Sequence, residues 1–287
     1  DNTIPVVLKE NKNTPRHAMC FYFKIEEPEK KAGLYTILNR LFLQGTKNRS
    51  AAQLAQELDE NAIDCYSEMK QDFMRFKLQC LNEDFEKGLE ILADIIKNST
   101  LEEFDKEVIK LKGEIQAELD DPKSKALDEF YKNIYKNHPY GHTYTKILED
   151  IDELTKSDVE CAYKNLLENS SKIISIAGDF EKDNLEEMLK KHFSDLKNNP
   201  DAQSKIPVPQ LKENSVVKIV KNDASQAQII QGWHVPTIYS KDYASIMVMN
   251  TMLGSSGLSS RLFLELRDKK GLAYVAVSYT HLTLPTT

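Results

Sequence analysis

Residues 50–66 read SAAQLAQELDENAIDCY, and residues 258–274 read LSSRLFLELRDKKGLAY. Four letters recur with a constant displacement of 208 positions; they are Leu54, Glu57, Leu58 and Tyr66, matched by Leu262, Glu265, Leu266 and Tyr274. The hydrophobic patterns that precede both stretches also recur in one order, namely strand, loop, strand and helix. Four matching residues could arise by chance, but the shared order of secondary-structure elements argues against chance. The repeat predicts a duplicated α+β domain in which each copy is a mostly antiparallel sheet with helices packed on one face.

The first copy contains clear strand and helix patterns. Two apolar runs, 5–9 and 17–25, flank the turn-forming residues 11–15 and predict a hairpin. Residues 33–43 carry apolar side chains at helical spacing, typical of a helix buried on one face; they are Leu34, Ile37, Leu38, Leu41 and Phe42. Three more strands are predicted at 63–68, 73–80 and 173–177, and further helices at 50–61, 82–98, 101–120, 123–135, 156–167 and 182–193.

The length of 287 residues favours two domains. A proline-containing polar segment, 197–213, is typical of a linker, so we expect a first domain at 1–209 and a partial second domain at 210–276. Fewer residues follow Glu213 than a complete second copy would need, so we expect the second copy to be truncated. Residues 277–287 resemble the translation of a sequencing adaptor, so we expect a non-native tail in which His281 has no role. The start without Met suggests that the natural N-terminus is missing, which leaves localisation open.

Composition excludes several classes of protein. Hydrophobic residues make up 40% and charged residues 29%, as in globular proteins. The formal net charge of −7 disfavours nucleic acid as a partner. No run approaches the roughly 20 apolar residues of a membrane span. The four cysteines have neither metal-ligand nor disulfide-scaffold spacing, and we expect buried thiols; they are Cys20, Cys65, Cys80 and Cys161.

Several stretches together resemble one family. They are the helix at 33–43 with the following residues 44–50, the stretch 114–122, the loop His138-Pro139-Tyr140-Gly141, and the segment 260–274. Over residues 1–276 the chain resembles the pitrilysin/insulinase family of zinc peptidases, which includes the mitochondrial processing peptidases and bacterial relatives. The resemblance implies a duplicated metallohydrolase fold.

The family's catalytic motif is HxxEH, in which two histidines bind zinc and the glutamate activates water. The matching positions here are Thr36, Asn39 and Arg40, while Glu114 matches the distant third ligand. Threonine lacks an imidazole, asparagine is not a base, and arginine stays cationic. One remaining carboxylate is not a zinc site, because catalytic zinc normally takes three protein ligands. We therefore expect no metal and no catalytic residue in this chain.

A second pair of residues does match the family. The resemblance implies that Arg267 and Tyr274 bind substrate on the opposite wall of the peptidase chamber. Both side chains are donors that could hold a peptide carbonyl or a developing oxyanion. The alternative is purely structural, with an arginine at a helix end and a tyrosine packed in a strand.

Other candidates are weaker. His138 and His142 are four apart, but the proline and glycine between them predict a loop, so capping or packing is favoured over metal binding. His17 and His234 fall in strand-like runs and are expected to be ordinary facing residues. Residues 254–257, Gly-Ser-Ser-Gly, match neither a Walker loop nor a nucleophile elbow and predict a turn. Asp120 and Asp121 precede a proline, as at a helix junction.

The expected function is that of a zinc-free subunit of a two-chain peptidase. A homologous partner would carry HxxEH and its zinc, and this chain would close the chamber around peptide substrates. The peptides would add as an extended strand to a sheet edge. The alternative is a non-enzymatic scaffolding or assembly protein of the same family. A self-sufficient metallopeptidase with a rebuilt zinc site is a third possibility.

Overall fold

The computed structural model describes residues 3–202, 205–209, 216–219 and 226–280. The chain divides into two compact units, Asp1–Ile230 and Gln231–Thr287. Within the described residues, no helix is long and apolar enough to cross a bilayer.

The first unit contains a five-stranded sheet in the order β1-β5-β2-β4-β3. Its strands are β1 (Val6–Glu10), β2 (Arg16–Lys24), β3 (Asp64–Met69), β4 (Phe73–Leu81) and β5 (Lys172–Gly178). Strand β1 runs parallel to β5, and the other neighbouring pairs are antiparallel. The sheet is therefore mostly antiparallel, as the sequence predicted.

The predicted hairpin of the first two strands is wrong. Strand β5 lies between β1 and β2, with Gly178 opposite His17 of β2. The connecting residues 11–15 cross the end of β5, where the Asn11 amide donates to the Gly178 carbonyl at 2.7 Å. An inserted strand widens the gap to about 10 Å, twice the strand spacing, which five residues can span. Turn-forming residues report only on the neighbouring sequence, so they could not predict that β5, which comes much later in the chain, pairs between β1 and β2.

Alternation along the strands explains why one face of the sheet is covered. Every second side chain of the three central strands is buried, and the intervening ones are less so. The buried apolar members are Met19, Phe21, Phe23, Met74, Phe76, Leu78, Cys80, Ile174 and Ile176. They join the apolar stripes of the helices in one core. The α+β layer arrangement of the first unit thus follows from patterns of period 2 and period 3.6.

Helices of the first unit follow the predicted order, with one addition. They are α1 (Leu34–Leu41), α2 (Ala51–Glu60), α3 (Phe85–Asn98), α4 (Phe104–Asp120), α5 (Pro122–Ile134), α6 (Tyr144–Asp150), α7 (Lys156–Asn169) and α8 (Lys182–Phe193). Sequence reasoning missed the short α6. Ser50 caps α2 through a reciprocal capping box with Gln53.

Helix α1 begins at a glycine for two reasons. Gly33 has φ of 93°, in the left-handed region that favours glycine. A Cβ atom there would lie 2.9 Å from the Ile147 Cγ2 atom of α6. The apolar stripe of α1 is fully buried at Ile37 and Leu38, as predicted, and the helix packs against α4, α7 and β3. This packing sets the direction of the opposite face, which carries the degenerate zinc motif.

The second unit differs from the prediction. It contains α9 (Tyr243–Asn250), followed by π-helical turns at Thr251–Ser255 and Phe263–Asp268. The strand predicted to begin near Leu272 is not formed, and no strand occurs at 216–219 or 226–280. A strand requires a hydrogen-bonded neighbour, and these described segments have none. Residues 281–287, including His281, and part of the predicted linker lie outside the described residues.

Candidate functional site

The degenerate zinc motif occupies one surface of α1. Thr36 and Arg40 are one helical turn apart and share a face, with Asn39 beside them. All three side chains are half-buried. Helix α4, which carries Glu114, packs against α1. The structure therefore brings together all four positions that the sequence identified on these two helices.

The Arg40 guanidinium joins α1 to α4 through two carboxylates. Its Nη1 and Nη2 atoms donate to both oxygens of Glu114, at 2.8 and 2.9 Å. Its Nε atom donates to Oε2 of Glu107, at 2.9 Å. The fork of guanidinium donors matches a carboxylate in two parallel bonds, which a lysine could not reproduce. The arginine thus uses three N–H groups on two acidic side chains.

The two carboxylates lie in different surroundings. Glu107 is only 2% exposed, and it also accepts a hydrogen bond from the Lys110 Nζ atom at 2.6 Å. The Glu114 side chain is 57% exposed. Hydrogen bonding from Arg40 lowers the pKa of Glu114, and hydrogen bonding to Glu114 raises the pKa of Arg40. The site is therefore an ion-pair cluster in which the Arg40 cation contacts one buried and one exposed carboxylate side chain.

These donors do not fit zinc. The family's site needs two imidazoles and a carboxylate, whereas here a permanent cation lies against the one carboxylate that remains. Among the described residues, no group of three histidine, cysteine, aspartate or glutamate side chains could hold a metal ion. The chemistry that this surface supports is ion pairing between two helices.

Asn39 is the residue that the sequence resemblance matches to the family's general base. Its backbone carbonyl accepts a hydrogen bond from the Ser67 hydroxyl of β3 at 3.1 Å. Its side-chain Oδ1 is buried and has no hydrogen-bond partner in the described part of the chain. An amide oxygen cannot take a proton from water at neutral pH. Asn39 therefore connects α1 to the edge strand β3 and supplies no base.

Arg267 and Tyr274 are in contact within the second unit. The Arg267 guanidinium carbon lies 4.6 Å from the centre of the Tyr274 ring and 4.6 Å from that of Phe263. The cation is thus stacked between two aromatic rings. Tyr274 is 80% exposed and lies outside any strand, which differs from the packed strand tyrosine of the structural alternative. The exposed phenol of Tyr274 can donate a hydrogen bond to a ligand.

The loop histidines have separate partners. The His138 Nδ1 atom accepts from the Tyr140 amide at 3.1 Å, so its Nε2–H donates to the Pro207 carbonyl at 2.7 Å. The His142 Nδ1 atom pairs with Glu29 Oε1 at 3.0 Å. A 3₁₀ turn lies between the two histidines. His138 is thus a cap, as the sequence predicted.

The other two histidines differ in their surroundings. His17 lies in β2, as predicted, and its ring is buried. His234 lies outside any strand, contrary to the prediction, because the described residues around it have no neighbouring strand.

Two weaker candidates are structural. The Asp121 carboxylate accepts a hydrogen bond from the Ser124 amide at 2.8 Å and caps α5, which confirms the helix junction. Residues 254–257 form part of a π-helical and 3₁₀ turn. Neither place brings together groups that could perform catalysis.

Sequence reasoning missed Glu107 and Arg49. Glu107 lies seven residues before Glu114, two turns away on the same face of α4, and this spacing was the available signal. Arg49 donates to Asp94, Glu57 and Glu90. Asp94 is buried, and it lies too far from Arg49 in the sequence for a local pattern to predict that the two residues pair.

Asp94 fastens the loop that follows α1. Its carboxylate accepts hydrogen bonds from four side chains, which belong to Thr46, Asn48, Arg49 and Asn98. Burial alone would raise the pKa of Asp94, but these hydrogen bonds outweigh burial and lower it. The family-like stretch 44–50 is therefore held against α3 by one buried charge.

The cysteines are only partly as predicted. Cys20, Cys65 and Cys80 lie in β2, β3 and β4, and all four thiols are free. Burial raises the pKa of Cys65 to about 12, which keeps its thiol protonated and unreactive. Cys80 is buried, as expected, whereas Cys20 and Cys65 are half-buried and Cys161 is exposed on α7, contrary to the expectation.

Two family models match the chain in succession. The model described as Insulinase (Peptidase family M16) matches residues 6–146. The model described as Peptidase M16 inactive domain matches residues 153–286. These matches and the geometry of the first unit define a zinc-peptidase homologue of two successive domains. The chain belongs to the pitrilysin/insulinase family.

Individual relatives agree with this assignment. An uncharacterized zinc protease of Rickettsia felis is 28% identical over 256 residues, covering 88% of this chain and 61% of that protein. The crystal structure of a protease from Helicobacter pylori has a TM-score of 0.81 at 25% identity, covering 99% of this chain and 70% of that one. A peptidase M16 inactive domain from Pseudomonas fluorescens has a TM-score of 0.78 at 20% identity, with coverages of 94% and 66%. The chain thus spans 61% of the length of the Rickettsia relative.

Proposed function

We propose that this chain is the zinc-free subunit of a two-chain peptidase. A homologous subunit supplies HxxEH and zinc, and this chain completes the chamber that holds the peptide. The observation that carries the proposal is the Arg40 cluster, in which a guanidinium is hydrogen-bonded to Glu107 and Glu114. The sequence resemblance matches Arg40 to one of the family's zinc-binding histidines.

The peptide would bind as an added strand. Strand β3 is an edge of the sheet and packs beside α1, the helix that carries Arg40. Main-chain hydrogen bonds along such an edge give affinity with little dependence on peptide sequence. Arg267 and Tyr274 would donate to a peptide carbonyl or to the oxyanion of the transition state. Their mutual stacking supports this role, because it holds both donors in one orientation.

The test is reconstitution with a zinc-bearing homologue encoded in the same genome. We expect the purified complex to hydrolyse peptides, and we expect Arg267→Ala and Tyr274→Phe each to lower kcat/KM by about tenfold or more, as when one transition-state donor is lost. Matched controls are Arg261→Ala and Tyr239→Phe, which change exposed residues of the same unit outside the stack. Activity that is unchanged by the two test substitutions would contradict the substrate-binding role.

The same preparation distinguishes the alternatives. Stable association only with a subunit that also lacks zinc ligands would favour a scaffolding protein over a peptidase subunit. Stoichiometric zinc in this chain alone, measured by elemental analysis together with chelator-sensitive peptide hydrolysis, would favour a self-sufficient metallopeptidase. The proposed function requires activity in the complex and none in the isolated chain.

A further inference from the structure

The Arg40 guanidinium has one side anchored in the interior and another side close to solvent. Its Nε atom donates to Oε2 of Glu107, a residue that is 2% exposed. Its Nη1 and Nη2 atoms, which form the terminal fork, donate to the two oxygens of Glu114. The side chain of Glu114 is 57% exposed and that of Arg40 is 23% exposed. The fork is therefore covered by a carboxylate that lies largely in water.

Glu107 holds the guanidinium in place independently of Glu114. Its Oε2 accepts from Arg40 at 2.9 Å, and its Oε1 accepts from the Lys110 Nζ atom at 2.6 Å. Breaking the contact with Arg40 would leave a buried carboxylate with one cationic partner fewer, which is costly in free energy. We therefore expect Arg40 to keep its orientation when Glu114 is moved away or replaced.

Glu114 is a weakly held partner that another carboxylate can replace. Exposed ion pairs add little to stability, because water competes for both ions and the long side chains lose conformational freedom. Hydrogen bonding from Arg40 and, to a smaller extent, the charge of Lys110 lower the pKa of Glu114, so this position favours a negative charge. Lys110 lies one helical turn before Glu114, and its side chain is 46% exposed. An incoming anion would thus meet two cations, of which the guanidinium can bond to both oxygens of a carboxylate.

We propose that the terminal fork of Arg40 binds a carboxylate ligand and that Glu114 is an internal ligand, which the incoming carboxylate displaces. The two oxygens of the ligand accept from Nη1 and Nη2, while Nε stays bonded to Glu107. The carboxylate belongs to a small acid or to a peptide, since both offer the same planar pair of oxygens. The inference goes beyond the proposed peptidase role. It concerns the isolated chain, so its failure would leave the reconstitution test unaffected.

The experiment uses the full chain with ¹⁵N-labelled arginine. N-acetylglycine is titrated at neutral pH while the Arg40 Nε–H signal is followed by NMR, with the signal assigned from its loss in Arg40→Lys. N-acetylglycinamide at equal ionic strength is the comparison, because salt screens exposed charges. We expect a saturable shift with N-acetylglycine and a response at least about tenfold weaker with the neutral amide, which cannot accept two charge-assisted bonds. Absence of a saturable shift with N-acetylglycine would overturn the proposal.

One pair of variants tests the displacement of Glu114. Glu114→Ala removes the internal ligand and keeps the contact between Arg40 and Glu107, so we expect it to tighten binding of N-acetylglycine by about two- to fivefold. Glu118→Ala is the matched control, because Glu118 is exposed one turn further along α4 and bonds to the Ser124 hydroxyl at 3.1 Å. It removes the same charge and should change the affinity by less than about twofold. Equal tightening by both variants, or weaker binding by Glu114→Ala, would refute the displacement.

A third variant tests the fork itself. Arg40→Lys keeps a positive charge, but an ammonium group cannot form two parallel bonds to a carboxylate. We expect N-acetylglycine to raise the melting temperature of the unmodified chain, and we expect this rise to be lost in Arg40→Lys. Cooperative melting of the variant without ligand shows that it is folded. An equal rise in both proteins would overturn the proposal, and if the variant does not fold, Glu114→Ala decides the question alone.

The source of the carboxylate is decided by titration with short N-acetylated peptides. The first peptide has a free C-terminal carboxylate and no acidic side chain, and the second is amidated and carries one internal glutamate. A shift of the Arg40 signal with the first or the second identifies a peptide terminus or an acidic side chain as the ligand. A shift with N-acetylglycine but with neither peptide identifies a small acid. Each of these outcomes supports carboxylate binding, whereas an equal shift with an amidated peptide that lacks acidic residues would contradict it.

Discussion

Removing the Arg40 side chain should destabilise the first unit by an amount that its contacts predict. Arg40→Ala takes one of two cationic partners from Glu107, which is 2% exposed. A hydrogen bond to a buried charged group contributes about 1.5–3 kcal/mol. Glu114 is largely exposed and can turn to solvent, so its pair contributes at most about 1 kcal/mol. We expect the free energy of unfolding to fall by about 2–4 kcal/mol.

The measurement is urea denaturation followed by two double-mutant cycles. Arg40→Ala is combined with Glu107→Gln and, separately, with Glu114→Gln. We expect the coupling energy with Glu107 to exceed that with Glu114, because only Glu107 is shielded from solvent. Arg16→Ala, at an exposed position of β2, is the matched control and should change stability by less than about 0.5 kcal/mol. Larger coupling to Glu114, or a loss no greater than that of the control, would refute this account of the cluster.

Three more predictions follow from named groups. Replacing Thr36→His, Asn39→Glu and Arg40→His together should restore metal binding, seen as about one zinc per chain by elemental analysis; no zinc above the level of the unmodified chain would count against it. The folded-state pKa of Asp94 is depressed, so its contribution to stability is present above the unfolded pKa of 3.8 and is lost as pH falls further. Asp94→Asn should therefore show a smaller drop in the free energy of unfolding on acidification than the unmodified chain. An equal drop in both proteins would contradict this. Burial lowers the pKa of Lys172 from 10.5 to about 8 in the folded chain. Between these two pH values the unfolded state binds more protons than the folded state, so the contribution of Lys172 to the free energy of unfolding should rise with pH across that window. Lys172→Met should lack the rise in urea unfolding, and an identical pH profile would exclude the effect.

Much of the first unit could be predicted from the sequence, because its signals are local. The capping box at Ser50, the apolar stripe of α1 and the alternation in β4 each arise within about ten neighbouring residues. The degenerate motif was equally visible, since Thr36, Asn39 and Arg40 differ chemically from zinc ligands whatever the fold. The family resemblance extended this prediction to Glu114.

Long-range pairing was the part that the sequence could not reveal. The insertion of β5 between β1 and β2 joins segments more than 150 residues apart, and the turn residues 11–15 suit a hairpin as well as a crossing. The strand predicted near Leu272 in the second unit did not form for a related reason. Its apolar runs have strand-like patterns, but a pattern becomes a strand only where another strand supplies hydrogen bonds.

What the sequence determined by itself is the chemical identity of the site: three side chains on one helix face that cannot bind zinc or act as a base. What only the tertiary structure decided is the pairing of that surface, where Arg40 forms ion pairs with Glu107 and Glu114 on α4. The physical reason is that donor chemistry belongs to each residue alone, whereas desolvation and pairing depend on which distant groups the fold brings within about 3 Å.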